Sequence, residues 1–185
     1  MPDTSDSFQS LRLRPQWHWP VNPGPGWWRA GGGTLALACL PGPGDLRERG
    51  TVLAQRLPAA PFTARTRLTL RAKLGSRAGL VICGNAYAWL GVELTADGPV
   101  LVCRTAAPGE PEHDLVPPEP LRQPEAELSV EVDTAGRCRF GTGGIFDAVP
   151  GQWVGAVLGL FAAGTAGWAT FRRFDVEEPR SRGER

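Results

Sequence analysis

The sequence predicts an all-β fold in which two antiparallel sheets pack as a sandwich, and three observations indicate it. Glycine and proline are abundant, with 24 and 18 residues among 185, and they separate short apolar runs as they do between strands. Along residues 62–73, apolar residues and Thr66 alternate with Arg65, Arg67, Arg71 and other polar residues, which is the period of a strand with one covered face. About ten such runs occur without a convincing helical pattern. A sandwich or barrel is the architecture that such a series of strands favours.

The individual strands follow from composition and turn signals. Residues 34–40 are an apolar run between glycines and a Pro-Gly repeat, and Asp97-Gly98 is a hairpin signal. Residues 153–161 are apolar on both faces, which predicts a central strand. The remaining predicted strands are 11–14, 78–83, 89–94, 100–105, 127–133 and 168–177.

Two stretches depart from regular alternation. In residues 168–177, Phe171 and Phe174 cannot share one face of a regular strand, so we expect a β-bulge there. Residues 106–124 are proline-rich and acidic, and we expect a surface loop. The domain organisation that follows is a polar lead-in at 1–10, a single domain at 11–177 and a frayed tail at 178–185.

Charge and cysteine usage narrow the partners and the compartment. The net charge is +1, from 20 basic and 19 acidic residues, so no strong field attracts nucleic acid or an anionic membrane. The chain opens without a secretory signal and holds no apolar run of about 18 residues. Its four cysteines have no metal-ligand spacing. We therefore expect a cytoplasmic protein with reduced, partly buried thiols.

Four ordered segments resemble the C-terminal β-sandwich of glycoside hydrolase family 43 β-xylosidases. They are the PQWHWPVNP stretch at 15–23, TVLAQR at 51–56, the RAGL and YAWLGV pair at 77–80 and 87–92, and the WVGAVLGLF and FRRF segments at 153–161 and 171–174. The resemblance implies a concanavalin A-like jelly roll. In those enzymes this domain accompanies a catalytic β-propeller, which the present sequence does not contain.

The resemblance also bears on metal binding. Related sandwiches hold a structural calcium with acidic residues near both termini, including aspartates of the closing strand. Thr170 and Arg172 stand where such aspartates are expected, and Asp175 alone offers few of the six to eight oxygen ligands that calcium needs. We therefore expect no metal site and no cofactor.

Aromatic and polar residues on the strands are candidates for sugar binding. Trp19, Tyr87 and Trp89 are the rings that we expect to face a groove, although core packing is the alternative for each. Gln55 and Arg56 are adjacent on one strand and point opposite ways, so at most one faces a ligand. Arg77 is a further candidate with the same alternative, an ordinary surface hydrogen bond. The arginines at 65, 67 and 71 are most simply a solvated outer face.

Catalytic residues are harder to find. Glu131 and Asp133 share a strand face, as two glycosidase carboxylates would, but Gly136 stands where a third acid is expected. His18 lies between two tryptophans, where we expect it to be packed, and His113 lies in an acidic stretch, where we expect solvent.

The sequence thus favours a non-catalytic, carbohydrate-binding accessory domain whose ligand is an oligosaccharide or plant-type glycan. Two alternatives stay open. One is an interaction subunit that docks on a separate hydrolase. The other is a stand-alone glycosidase that uses Glu131 and Asp133.

Overall fold

The computed structural model describes residues 4–58, 61–147 and 155–178, which form two antiparallel sheets. The strands are β1 (Trp28–Gly31), β2 (Thr34–Ala38), β3 (Leu53–Arg56), β4 (Phe62–Ala72), β5 (Arg77–Cys83), β6 (Tyr87–Thr95), β7 (Gly98–Ala106), β8 (His113–Pro120), β9 (Glu125–Val132), β10 (Arg137–Phe140), β11 (Ile145–Asp147), β12 (Val157–Ala163) and β13 (Gly167–Glu177). The predicted two-sheet sandwich is confirmed.

Chain order and spatial order differ, because strands from both ends of the sequence pair with each other. One sheet has seven strands in the order β1-β2-β13-β4-β9-β10-β11, and the other has six in the order β3-β12-β5-β6-β7-β8. No helix occurs in these ranges, and so none that could cross a membrane is found there.

The core lies between the sheets and is built from alternate residues of each strand. Leu68 and Phe171 from the seven-stranded sheet and Leu80, Leu90 and Leu160 from the six-stranded sheet are almost completely buried. Burial of each such side chain contributes about 1.5–3 kcal/mol. The four cysteines are free thiols, three of them buried and Cys83 partly exposed.

A second apolar layer covers the outer face of the six-stranded sheet. It includes Val81, Tyr87, Trp89 and Phe161, and it packs under Leu46 of the segment between β2 and β3. The six-stranded sheet is therefore buried on both faces along much of its width, and the segments that cover it shape the candidate site.

Three predictions about individual segments can be compared with the observed strands. The bulge in the closing strand is confirmed, since the β13–β4 register shifts between Arg172 and Phe174. The loop expected at 106–124 is wrong in part: β8 is an edge strand, where prolines are tolerated because one row of backbone groups faces solvent. Residues 11–14 form no strand, and the Ser10 hydroxyl accepts a bond from the Arg12 amide in a local bend.

The structure describes most of the N-terminal segment and almost none of the C-terminal tail. The predicted lead-in packs onto the domain: Asp6 and Phe174 exchange backbone hydrogen bonds of 2.8 Å, and Phe8 is buried in the core. The predicted central strand at 153–161 begins at Val157, and its first two residues lie outside the described ranges. Of the tail at 178–185, only residue 178 is described.

Candidate functional site

Three predicted site residues meet on the outer face of the six-stranded sheet. Arg77 is the first residue of β5, and Tyr87 and Trp89 lie on the neighbouring strand β6. Their polar atoms converge on Glu112, which precedes β8. The Glu112 carboxylate accepts hydrogen bonds from the Tyr87 hydroxyl at 2.7 Å and the Trp89 indole nitrogen at 3.3 Å, and it forms an ion pair with Arg77. We call these four residues the Glu112 cluster.

The Glu112 cluster is screened from solvent. The Arg77 and Glu112 side chains are each 15% exposed, and Tyr87 and Trp89 are 1% and 0% exposed. Burial, then the hydrogen bond and charge of Glu112, raise the pKa of Tyr87, so its hydroxyl stays a proton donor. The Arg77 guanidinium lies 5.3 Å from the centre of the Trp89 ring. Removal of either partner from an ion pair with this little exposure leaves an unpaired charge with poor access to water, which destabilises the fold.

This burial corrects one expectation. Tyr87 and Trp89 lie on the predicted sheet face, but they do not face an open groove, because Glu112 and its loop cover them. Sequence reasoning missed Glu112, which looked like one acid among several in a polar stretch. No spacing signal marks it, since it meets Tyr87 and Trp89 across 25 and 23 residues of sequence.

An open cleft of about 370 Å³ lies beside this cluster, over the free edge of the same sheet. We call it the His18 cleft. Its floor is apolar and its rim carries three polar side chains; the residues are Val52, Ala54 and Val157 on the floor and His18, Arg47 and Asn85 on the rim. The arrangement offers hydrogen-bond donors and acceptors above an apolar surface.

The His18 cleft owes its shape to an extended segment before β1. The backbone of His18 bonds to Ala54 of β3 in both directions, at 2.8 and 3.0 Å, so residues 17–19 continue the sheet edge. Successive side chains therefore alternate in direction. Trp17 is buried in the core and His18 is exposed at the cleft, which is where the expectation of a packed His18 is wrong. His113 is exposed on β8, as expected.

Arg47 connects the His18 cleft to the Glu112 cluster. It forms an ion pair with Asp45, donates to the Asn85 carbonyl at 2.7 Å and lies 5.5 Å from the centre of the Tyr87 ring. Its hydrogen bonds hold the pKa of Asp45 below its ordinary value. The guanidinium is therefore fixed in place at the rim, with its charge already partly neutralised.

The other predicted binding residues lie apart from the cleft floor. Trp19 packs against the core and meets the edge of Trp27 at 6.2 Å, so it does not face the cleft. Gln55 points between the sheets, is 1% exposed and donates to the Thr4 carbonyl at 3.1 Å. Arg56 is exposed and shares the outer face of β3 with Ala54, next to the cleft. Of this adjacent pair, Arg56 is the one available to a ligand.

Glu131 and Asp133, the candidate glycosidase carboxylates, lie on the seven-stranded sheet. Glu131 is exposed on β9, and Asp133 accepts backbone hydrogen bonds from Ala135 at 2.8 Å and Arg137 at 2.9 Å. Those contacts are typical of an Asp that stabilises a tight turn. This geometry favours a structural role for Asp133.

The residues do not fit the calcium site of related sandwiches. Thr170 and Arg172 offer no carboxylate, and Asp175 is paired with Arg173 at 3.3 Å. Among the described residues, no group of three or more His, Cys, Asp and Glu side chains is placed to hold a metal ion.

Comparison with known proteins identifies relatives of the domain. The profile described as the β-xylosidase C-terminal concanavalin A-like domain matches residues 5–177. None of the curated proteins matches the chain. Among solved structures, a bifunctional GH43-CE protein of Bacteroides eggerthii superposes with a TM-score of 0.82 at 23% identity, over 96% of this chain and 26% of that one.

Two further solved structures show how widely the fold occurs. A xylan β-1,4-xylosidase from Bacillus halodurans matches with a TM-score of 0.78 at 20% identity, over 94% of this chain and 39% of that one. A functionally unknown protein from Saccharomyces cerevisiae matches with a TM-score of 0.62 at 14% identity, over 89% of this chain and 97% of that one. At such identities the likeness shows the fold alone. The chain spans well under half the length of the two bacterial relatives.

Proposed function

Because the chain belongs to the family of β-xylosidase C-terminal concanavalin A-like domains, we propose that it is a non-catalytic accessory domain that binds an oligosaccharide. The xylan β-1,4-xylosidase among its relatives makes a plant-type glycan the first ligand to test. The observation that carries the proposal is the His18 cleft, which combines an apolar floor with fixed polar groups.

The chemistry of the His18 cleft suits a sugar ring. One ring face is apolar and can lie on Val52, Ala54 and Val157, while the hydroxyls reach His18 and Asn85 at the rim. Ligand sites commonly pair an apolar lining with a few polar groups that set orientation. The floor carries aliphatic side chains, so stacking on an aromatic face does not contribute. We therefore expect weak binding, with a Kd on the order of 1 mM.

The same cleft favours binding without hydrolysis. A retaining glycosidase needs two carboxyl groups about 5 Å apart across the bond that is cut. None of the described residues that line the His18 cleft is an aspartate or glutamate. Asp45, the acid bound to the rim residue Arg47, is already engaged in that ion pair.

Calorimetric titration with xylo-, arabino- and gluco-oligosaccharides tests the proposal. Binding of at least one ligand is expected, and His18→Ala should weaken it about tenfold, because the rim loses a hydrogen-bonding ring. His113→Ala is the matched control, since His113 is also exposed but lies on β8, away from the cleft lining. A flat response from all three ligand classes at millimolar concentration would remove the proposal.

A second candidate function is docking on a separate hydrolase. One observation favours it: two solved relatives hold this domain within chains of which it is only 26% and 40%. Isolation of the full chain from its host, followed by mass spectrometry of what co-elutes, tests it. A stoichiometric glycoside hydrolase is the expected result, and elution of the chain alone would count against docking.

A further inference from the structure

A second cleft of about 360 Å³ lies on the opposite side of the molecule, on the outer face of the seven-stranded sheet. We call it the arginine cleft. Its charged lining consists of four arginines and two acids: Arg65, Arg67, Arg172, Arg173, Glu127 and Asp175. Four guanidinium groups against two carboxylates give this small area an excess of two positive charges, whereas the whole chain carries +1.

The β-bulge in β13 brings two consecutive arginines to the same face. Arg172 is opposite Arg67, Phe174 is opposite Thr66, and Arg173 is the extra residue between them. In a regular strand neighbouring side chains point to opposite faces, yet Arg172 and Arg173 are both exposed. The bulge therefore concentrates positive charge at one point of the sheet.

Arg173 holds a backbone conformation that costs energy for a residue with a side chain. Its φ is +50°, and the Thr66 hydroxyl donates to its carbonyl at 2.7 Å. Glycine or asparagine would adopt this conformation with less strain. Strained backbone positions of this kind are concentrated at functional sites. The presence of an arginine at this position therefore suggests that its side chain has a functional role.

Two of the four guanidinium groups form no ion pair among the described residues. Arg67 lies opposite Arg172 on one side, where like charges repel, and opposite Glu127 on the other, but neither guanidinium group forms a hydrogen bond or ion pair among the described residues. The other two arginines have exposed partners: Arg65 lies 3.7 Å from Glu177 and Arg173 lies 3.3 Å from Asp175. An anion placed between Arg67 and Arg172 would relieve the repulsion and satisfy both.

We propose that the arginine cleft binds an acidic oligosaccharide through the carboxylate of a uronic acid residue, held by Arg67 and Arg172. A planar carboxylate matches the fork of donors on each guanidinium. Glu127, Asp175 and the Ser129 hydroxyl line the same cleft and would accept hydrogen bonds from sugar hydroxyls. A lining that combines a carboxylate-binding pair of arginines with acceptors for hydroxyl groups suits a sugar acid. The site is on the other sheet from the His18 cleft and stands without it.

Calorimetry on the full chain with an oligouronate trimer tests the proposal, with the neutral hexose trimer of the same linkage and inorganic sulfate as comparison ligands. The double variant R67Q/R172Q should bind the oligouronate at least about tenfold more weakly, because two charge-assisted contacts are lost. The matched control is R71Q/R139Q, which removes the same charge from the same sheet face outside the cleft. It should bind within about twofold of the wild type, and thermal unfolding confirms that both variants fold.

Each outcome has a defined meaning. Selective binding of the oligouronate that weakens as sodium chloride is raised, and that only R67Q/R172Q loses, supports the site. The proposal is overturned if the neutral trimer binds equally well, if sulfate binds as tightly as the oligouronate, or if R71Q/R139Q loses as much affinity as R67Q/R172Q. His18→Ala should leave oligouronate binding unchanged, so failure here and failure of the His18 cleft are separate results.

Discussion

Removal of the Glu112 carboxylate should destabilise the protein. In Glu112→Ala, the buried Tyr87 hydroxyl and Trp89 indole lose their acceptor, and Arg77 loses its ion pair. An unsatisfied buried donor costs about 1–3 kcal/mol, and one broken buried ion pair costs about 3–5 kcal/mol. Because Arg77 still donates to the Gly44 carbonyl and keeps some access to water, the ion-pair cost falls well below that range. The two orphaned donors then dominate, and we expect a total of about 3 kcal/mol.

Denaturation of matched variants measures this loss. For a domain of this size, about 3 kcal/mol corresponds to a fall in Tm of roughly 6–12 °C. Glu112→Gln keeps a carbonyl acceptor for Tyr87 and should cost only about 1 kcal/mol. Glu110→Ala removes a neighbouring exposed acid and should stay within about 0.5 kcal/mol of the wild type. If Glu112→Ala and Glu110→Ala have the same urea midpoint, the Glu112 cluster does not hold the loop to the sheet.

Two further predictions concern backbone packing and the buried thiols. Gly91→Ala should lower the free energy of unfolding by about 2–3 kcal/mol, because a Cβ there would overlap the Ala78 carbonyl and lie 2.7 Å from the Cα of Gly79. Gly44→Ala is the control, since a Cβ there meets open space and the change should be nearly neutral. Equal urea midpoints for the two variants would contradict the close approach of the strands. Burial raises the pKa of Cys39 and Cys103 to about 11 from 9.0. The fold therefore keeps these thiols protonated, so their contribution to the unfolding free energy is complete below about pH 9 and is lost as the pH rises toward 11. Urea midpoints at pH 8 and pH 10 check the direction of this change in stability. Rapid alkylation of Cys39 and Cys103 in the native protein at pH 8 would contradict the burial of these two thiols.

The fold was predictable because its signals are local. Alternation along β4 defines which side chains are buried, and the same alternation recurs in β9, its neighbour in the sheet. The bulge was predictable for a similar reason: Phe171 and Phe174 are both large and apolar, and a regular strand cannot bury both. The edge strand β8 was missed because its prolines are a local signal for a loop, and only its position at the sheet edge makes them compatible with pairing.

The sites depend on contacts that no local pattern contains. Tyr87 and Trp89 read as exposed rings as long as the loop before β8 has no known position, and a single carboxylate from that loop covers both. From the sequence, the arginines at 65 and 67 are predicted to form a solvated face, and they do. The sequence does not indicate that β13, from the end of the chain, places Arg172 and Arg173 beside them. In both places the chemistry is decided by which distant segment lies next to a strand.

The two clefts differ in charge, and they lie on the outer faces of different sheets. On the six-stranded sheet, covering segments bury aromatic rings and fix Arg47 through Asp45, so the guanidinium at the rim of the His18 cleft is held in place and its charge is partly neutralised. On the seven-stranded sheet, the bulge leaves Arg172 and Arg173 exposed on the face that carries Arg67, and the guanidinium groups of Arg67 and Arg172 form no ion pair among the described residues. Two ligands of different charge would therefore bind this domain without competing, and simultaneous titration with a neutral xylo-oligosaccharide and an oligouronate should give additive heats. A loss of one binding event when the other site is saturated would show that the faces are coupled through the core.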